Sequence, residues 1–235
     1  GLRGTLERST VEPDLDHASV RETHLTNPVP HFSNQERGTK VHATSSSNRF
    51  AWRTVDIIIT AVLGVASGVL FWVWDLAYGP ISAALAATPG LEGLTSGGWL
   101  FAGVLAGIIV RKPGAAIFAS LVAGVVESII GTQWGFTNLP VALLQGLGAE
   151  IGIAIFAYAS SRIYVAVVAG VIAGVANIAI CVPLYYAGVT VSVVGTYAVT
   201  TLISGALLAG VLPWLIARGL VKTGALSRLA IANKG

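Results

Sequence analysis

After Arg53 the sequence is divided by turn residues into six apolar stretches, each near the roughly 20 residues that carry a helix across a bilayer. That feature leaves few folds open. In hydrocarbon every backbone N–H and C=O must find its partner within the protein, so a chain of such stretches folds as a helix bundle. The stretches run approximately from Thr54 to Trp74, Gly93 to Val110, Gly114 to Ile130, Leu139 to Ala159, Ile163 to Ala187 and Val194 to Ala217. A shorter run, Pro80 to Thr88, lies between Gly79-Pro80 and Pro89-Gly90 and is expected at the interface or folded over the bundle. The expected fold class is an all-α integral membrane protein, a six-transmembrane-helix bundle over residues 51–220.

Charge separates this domain from what flanks it. Of 14 Lys and Arg and 11 Asp and Glu in the chain, residues 1–50 hold six of each, leaving eight basic and five acidic residues for the rest. The first 50 residues are rich in Ser, Thr, Asn and Pro, with no apolar run for a core or a secretory signal, and are expected to form a disordered cytoplasmic tail. Residues 221–235 are expected to form a short cytoplasmic C-terminal tail. Within the bundle, Arg53, Arg111, Lys112, Arg162, Arg218 and Lys222 all fall on alternate connections, whereas the other three connections, around residues 78–93, 131–138 and 188–194, carry no Lys or Arg. Positive residues mark the cytoplasmic side, so both termini are predicted there, with three outer loops. The net charge of +3 is explained by membrane topology, and nucleic acid is not an expected partner.

Trp72, Trp74, Tyr78, Trp99, Trp134, Phe136, Tyr185 and Tyr186 gather at the ends facing the outer loops, as an interfacial belt or as the walls of a site. Small residues repeat at helix-packing intervals: Gly64 with Gly68, Gly103 with Gly107, Gly170 with Gly174. The stripe Thr60, Gly64 and Gly68 on helix 1 is the best candidate for docking another membrane subunit. Cys181, the one cysteine, is expected to be a buried, inert thiol.

The residues argue against an enzyme. His17, His24, His31 and His42 all lie in the tail at spacings that match no metal motif, so no metal site is expected. No phosphate-binding loop occurs, so no cofactor is expected in this chain and any ATP would be used by partner subunits. Ser204-Gly205 without a histidine reads as small-residue packing. The intramembrane polar residues Asp56, Asp75, Glu127, Gln145, Glu150 and Asn177 remain, and a buried carboxylate costs on the order of 3 kcal/mol, so each should face the bundle interior or water. Asp56 and Asp75 bracket helix 1 and fit the headgroup layer. Glu127 and Gln145 fall at comparable depth near the outer surface. Glu150 lies deeper, about 140° around helix 4 from Gln145, so it lines a cavity or braces neighbouring helices. Carboxylates, amides and aromatic rings in an outward cavity suit a small, flat, nitrogen-rich or cationic solute.

At these residues the sequence resembles a known family. Arg111-Lys112-Pro113-Gly114-Ala115-Ala116, Glu127 with Gly131, Gln145-Gly146-Leu147-Gly148-Ala149-Glu150 and Ile203-Ser204-Gly205-Ala206-Leu207-Leu208-Ala209-Gly210 are similar to blocks of the YkoE family, over about residues 50–225. These are substrate-binding S components of energy-coupling factor (ECF) transporters for thiamine and its hydroxymethylpyrimidine precursor. The resemblance implies a bacterial cell-membrane protein that captures its vitamin from outside. Its implied partners are a transmembrane coupling subunit and cytoplasmic ATPase subunits. Glu127 and Gln145 are then expected to bond the aminopyrimidine, with Asn177 beside them and Glu150 either joining them or fixing helix 4; the bundle geometry adds Trp134, Trp99 and Tyr186 as candidate stacking groups. A stand-alone secondary transporter is the alternative; it would call for an inverted repeat, and none is visible between the two halves.

Overall fold

The computed structural model describes residues 50–224. Both tails, with the four histidines, lie outside the described residues except for Phe50 and residues 221–224. The described part is helical. Helix α1 is Thr54–Leu85, α2 Gly97–Val110, α3 Ala115–Ile130, α4 Asn138–Ala154 and α5 Ile163–Tyr185. The sixth rod, Val191–Lys222, is built of α6 (Val191–Ser204), a π-helical segment (Gly205–Val211) and α7 (Leu212–Lys222). Four of the rods are long and apolar enough to span a bilayer: α1, Leu91–Val110, α5 and Val191–Lys222.

Several boundaries differ from the sequence reading: the sixth rod runs from Val191 to Lys222 and not from Val194 to Ala217, α5 ends at Tyr185 and not Ala187, and three further differences bear on the packing. Helix α1 does not stop at Trp74 but continues through Pro80, so the segment expected at the interface is largely its last turn and a half. Proline's fixed φ is compatible with a helix; its missing N–H and the clash of its ring with the Leu76 carbonyl oppose one, and the helix formers Ala83, Ala84 and Leu85 that follow favour carrying it on to Leu85. At 32 residues α1 is about 48 Å long and overshoots the hydrocarbon. Helix α4 ends at Ala154, not Ala159, because Ala157 and Tyr158 take left-handed φ of 49° and 56° and unwind the chain. A 3-10 turn, Leu91–Thr95, precedes α2, so that helix begins at Gly97 and not Gly93.

Helix α2 is apolar on every side and nearly every residue from Leu100 to Val110 is buried, so it forms the axis around which the others pack. Small residues set the packing distances. A Cβ on Gly68 would stand 2.6 Å from the Ala123 carbonyl oxygen, and one on Gly64 would stand 2.8 Å from Val122 Cβ. Thr60, Gly64 and Gly68 are thus consumed inside the chain against α3, which corrects their expected role as a docking face. The face of α1 left outward is Val62, Val65, Val69 and Val73. Gly170 of α5 meets the π-helical segment as closely: a Cβ there would come within 2.2 Å of the Gly205 carbonyl oxygen. Ser204, just before that segment, accepts from Gly97 N–H at 2.9 Å and donates to the Leu94 carbonyl, tying the sixth rod to the start of α2.

The end of the bundle that holds its basic residues is closed by polar bonds. Asp56, expected in the headgroup layer, is buried and paired with Lys112 at 2.8 Å and Arg53 at 3.2 Å. Lys112 also donates to the Ala51 carbonyl, and Trp52 Nε1 donates to Pro113 O at 3.0 Å. Glu150 accepts from Gly114 N–H at 2.7 Å and Ala116 N–H at 2.9 Å, so it caps α3 where the helix dipole favours an anion. Tyr158 donates to the same carboxylate at 2.6 Å. Burial, and then Glu150, push the Tyr158 hydroxyl above the usual phenol range and keep it a donor.

Candidate functional site

At the opposite end the rods part around a cavity of about 140 Å³. Tyr78 of α1 and Trp99 of α2 form one wall, with Glu92, Thr95 and Ser96 from the turn between them. Trp134 comes from the connection between α3 and α4, and α4 supplies Asn138, Val141 and Gln145. Asn177, Cys181 and Tyr185 of α5, Tyr186 at its cap and Tyr197 of α6 complete the lining.

The rings brace one another by edge contacts. Trp99 meets Tyr78 at 5.4 Å between centroids, Tyr78 meets Trp134 at 5.8 Å, and Trp134 meets Tyr185 at 5.4 Å. Across the cavity Tyr186 lies against Tyr197 at 4.5 Å. Such a wall offers π faces to a flat or cationic solute and holds them in place beforehand.

A chain of neutral hydrogen bonds forms the floor. Gln145 Nε2 donates to Asn177 Oδ1 at 2.8 Å, Asn177 Nδ2 donates to the Tyr197 hydroxyl at 3.0 Å, and Cys181 Sγ donates to Asn177 Oδ1 at 3.3 Å. The amide of Gln145 is therefore oriented by α5. Its carbonyl oxygen and second N–H stay available to the cavity. Cys181, expected to be inert in an apolar run, is buried as foreseen but belongs to this lining.

The carboxylates are arranged differently from the expectation. Glu127 does not line the cavity: it is wholly buried behind the wall, accepting from Trp99 Nε1 at 3.1 Å and from Asn138 Nδ2. Asp75, expected among headgroups, is buried beside it and accepts from the same Trp99 N–H at 3.1 Å and from Thr132. Helix α3 turns Glu127 inward toward α1 and α2, so it reaches the cavity only through Trp99 and Asn138. Glu150 is at the other end of the bundle, where it caps α3, and takes no part here. Of the residues singled out in the sequence, Gln145, Asn177, Trp99, Trp134 and Tyr186 converge on the cavity, and Glu127 and Glu150 do not.

Tyr78 and Tyr185, named in the sequence as belt or wall residues, are wall residues, and sequence reasoning missed Asn138, Tyr197 and above all Glu92. Its Oε2 accepts from Gly90 N–H at 2.7 Å and its Oε1 from the Tyr186 hydroxyl at 2.8 Å, so it joins the turn before α2 to the corner after α5. Burial, and then that bond, push the Tyr186 hydroxyl well above the usual phenol range. A signal was present: Glu92 is the one acidic residue in the three connections that lack Lys and Arg.

The comparisons with known proteins agree with this architecture. A family model described as the permease component of an ABC-type cobalt transport system matches residues 55–176. The putative HMP/thiamine permease protein YkoE of Bacillus subtilis (strain 168) is 28% identical over 187 residues, covering 78% of this chain and 92% of that protein. A solved S-component of an ECF transporter superposes with a TM-score of 0.74 at 27% identity, over 78% of this chain and 93% of that one. These relatives are transport proteins, not enzymes, and with the apolar rods they place the chain in the bacterial plasma membrane as a multi-pass protein. The chain belongs to the family of ABC-type cobalt transport permease components, and within it is a YkoE-like S component, the substrate-binding subunit of an ECF importer.

Proposed function

We propose that the cavity captures an aminopyrimidine, thiamine or its hydroxymethylpyrimidine precursor, from outside the cell. The observation that carries this reading is the Gln145–Asn177–Tyr197 chain inside an aromatic wall. A fixed amide presents an N–H beside a C=O, the pattern with which Gln and Asn pair to an amino group next to a ring nitrogen in adenine, and an aminopyrimidine offers the same edge. Trp99, Trp134 and Tyr186 supply faces for the ring. The lining contains one carboxylate, amides, hydroxyls and one thiol, and no group of three His, Cys, Asp or Glu that could hold a metal ion is found among the described residues.

Orientation follows from charge. Every Lys and Arg among the described residues stands at the closed end, which supports a cytoplasmic position for that end and an outward-facing cavity. Residues 51–220 serve as the binding domain. A transmembrane coupling subunit and cytoplasmic ATPases act as partners, docking on a surface other than the buried small stripe of α1. Similarity to YkoE, described as a putative HMP/thiamine permease, supports the substrate class.

Calorimetric titration of the purified protein with thiamine, hydroxymethylpyrimidine and riboflavin tests the reading. The first two should bind and riboflavin should not. Gln145→Leu should weaken both pyrimidines by about tenfold or more, the loss of one to two hydrogen bonds to a buried partner. Equal affinity for all three compounds, or an unaffected Gln145→Leu protein, refutes it.

A further inference from the structure

We propose that Glu92 is the fixed counter-charge of the cavity and makes the site select a cationic ring over a neutral one of like shape. This deepens the aminopyrimidine reading and rests on it for the identity of the solute. Glu92 is the only ionisable carboxylate in the lining, which has no Lys, Arg or His. Its two partners, Gly90 N–H and the Tyr186 hydroxyl, are both neutral, so they orient the negative charge without cancelling it. All six Lys and Arg among the described residues stand at the far end, beyond the length of α3, about 24 Å.

The carboxylate is also held in place before any solute arrives. Gly90 has φ of 96°, a left-handed position, and a Cβ there would stand 2.7 Å from the Val193 carbonyl oxygen. Its own carbonyl accepts from Thr200 at 2.8 Å. On the other side a Cβ on Gly93 would come within 2.3 Å of Thr200 Oγ1, so the turn carrying Glu92 is pressed onto α6 along its length. A carboxylate has about four acceptor positions and two are used, which leaves capacity for a cation facing the cavity. The rings of Tyr78, Trp99, Trp134 and Tyr186 add their negative faces to the same volume. A preset charge costs little ordering on binding, so its attraction appears in affinity. Thiamine carries a permanent positive charge on its thiazolium ring and hydroxymethylpyrimidine is neutral; the charge distinguishes them.

A bland role competes with this one, since Glu92 could serve only as a clasp between two loops. Glu92→Gln separates the roles because its amide oxygen still accepts a hydrogen bond while the charge is gone. Tyr186→Phe does the reverse. Titrations of the full chain in detergent should show Glu92→Gln losing affinity for thiamine by tenfold or more with less than a threefold change for hydroxymethylpyrimidine. Tyr186→Phe should keep the preference for the cation. A second pair, 1-methylnicotinamide and neutral nicotinamide, tests charge selection without an aminopyrimidine. Wild-type protein should prefer the cation, and Glu92→Gln should not. If wild type binds neither thiamine nor hydroxymethylpyrimidine, the aminopyrimidine reading falls and the nicotinamide pair still decides the role of Glu92. No preference for the cation in either pair, or a preference that survives Glu92→Gln, overturns the proposal.

Discussion

The two ends of the bundle spend their carboxylates in opposite ways. At the closed end Asp56 is paired with Lys112 and Arg53, and Glu150 is bound by two backbone N–H groups and Tyr158. At the open end Asp75 and Glu127 lie against each other, sharing the Trp99 N–H, with further donors from Thr132 and Asn138, while Glu92 is met by the neutral donors Gly90 N–H and Tyr186 hydroxyl; no cation among the described residues reaches any of the three. Buried charge is costly unless matched, so the ion pairs of Asp56 and the helix cap made by Glu150 serve cohesion at the closed end, whereas at the open end the carboxylate of Glu92 lines the cavity without a cation beside it. Helix α3 exhibits both habits, with its first turn capped by Glu150 and its last turn holding Glu127 behind the cavity wall.

The comparison breaks most readily at Lys112. Lys112→Met strands the buried Asp56 with an Arg53 whose side chain is 57% exposed, and should cost about 3–5 kcal/mol, read as a lowered unfolding midpoint in detergent. A protein as stable as wild type would show that the closed end does not depend on its pairing. Glu150→Ala removes the cap of α3 and the bond from Tyr158, and should cost about 1.5–3 kcal/mol while leaving solute affinity unchanged. Glu127→Gln should behave in the contrary manner. No cation is stranded, stability should move by under about 1 kcal/mol, and affinity should fall about three- to tenfold because the amide, with one acceptor oxygen, drops one of the two bonds from Trp99 and Asn138. The smallest effect belongs to Thr132→Val, which removes one donor from Asp75 and should cost about 0.5 kcal/mol, read as a small fall in the unfolding midpoint with solute affinity unchanged.

Apolar length and turn residues were enough to mark the six rods, because a bilayer imposes both the length and the helix. Where no such rule acts, the reading slipped. The run from Ile153 to Ala159 has no Gly or Pro, yet the chain unwinds at Ala157 and Tyr158 to bring a hydroxyl to Glu150, a tertiary bond that local pattern does not encode. Depth placed Glu127 beside Gln145, but depth leaves the azimuth of a side chain open, and packing of α3 against α1 turned Glu127 away from the cavity. Gln145 and Asn177 were recognisable as polar residues in apolar runs. Glu92 sits in a loop, where a charge is unremarkable until folding sets it beside Tyr186.

Helix α2 touches almost nothing but its own chain. A nascent α2 nevertheless enters the bilayer as a greasy segment surrounded by acyl chains, and its later neighbours must displace that lipid before the cavity exists. Insertion and assembly are thereby separate events for this helix. A bulky side chain in place of Gly103 or Gly107 would leave its threading across the membrane intact while preventing the other rods from closing around it.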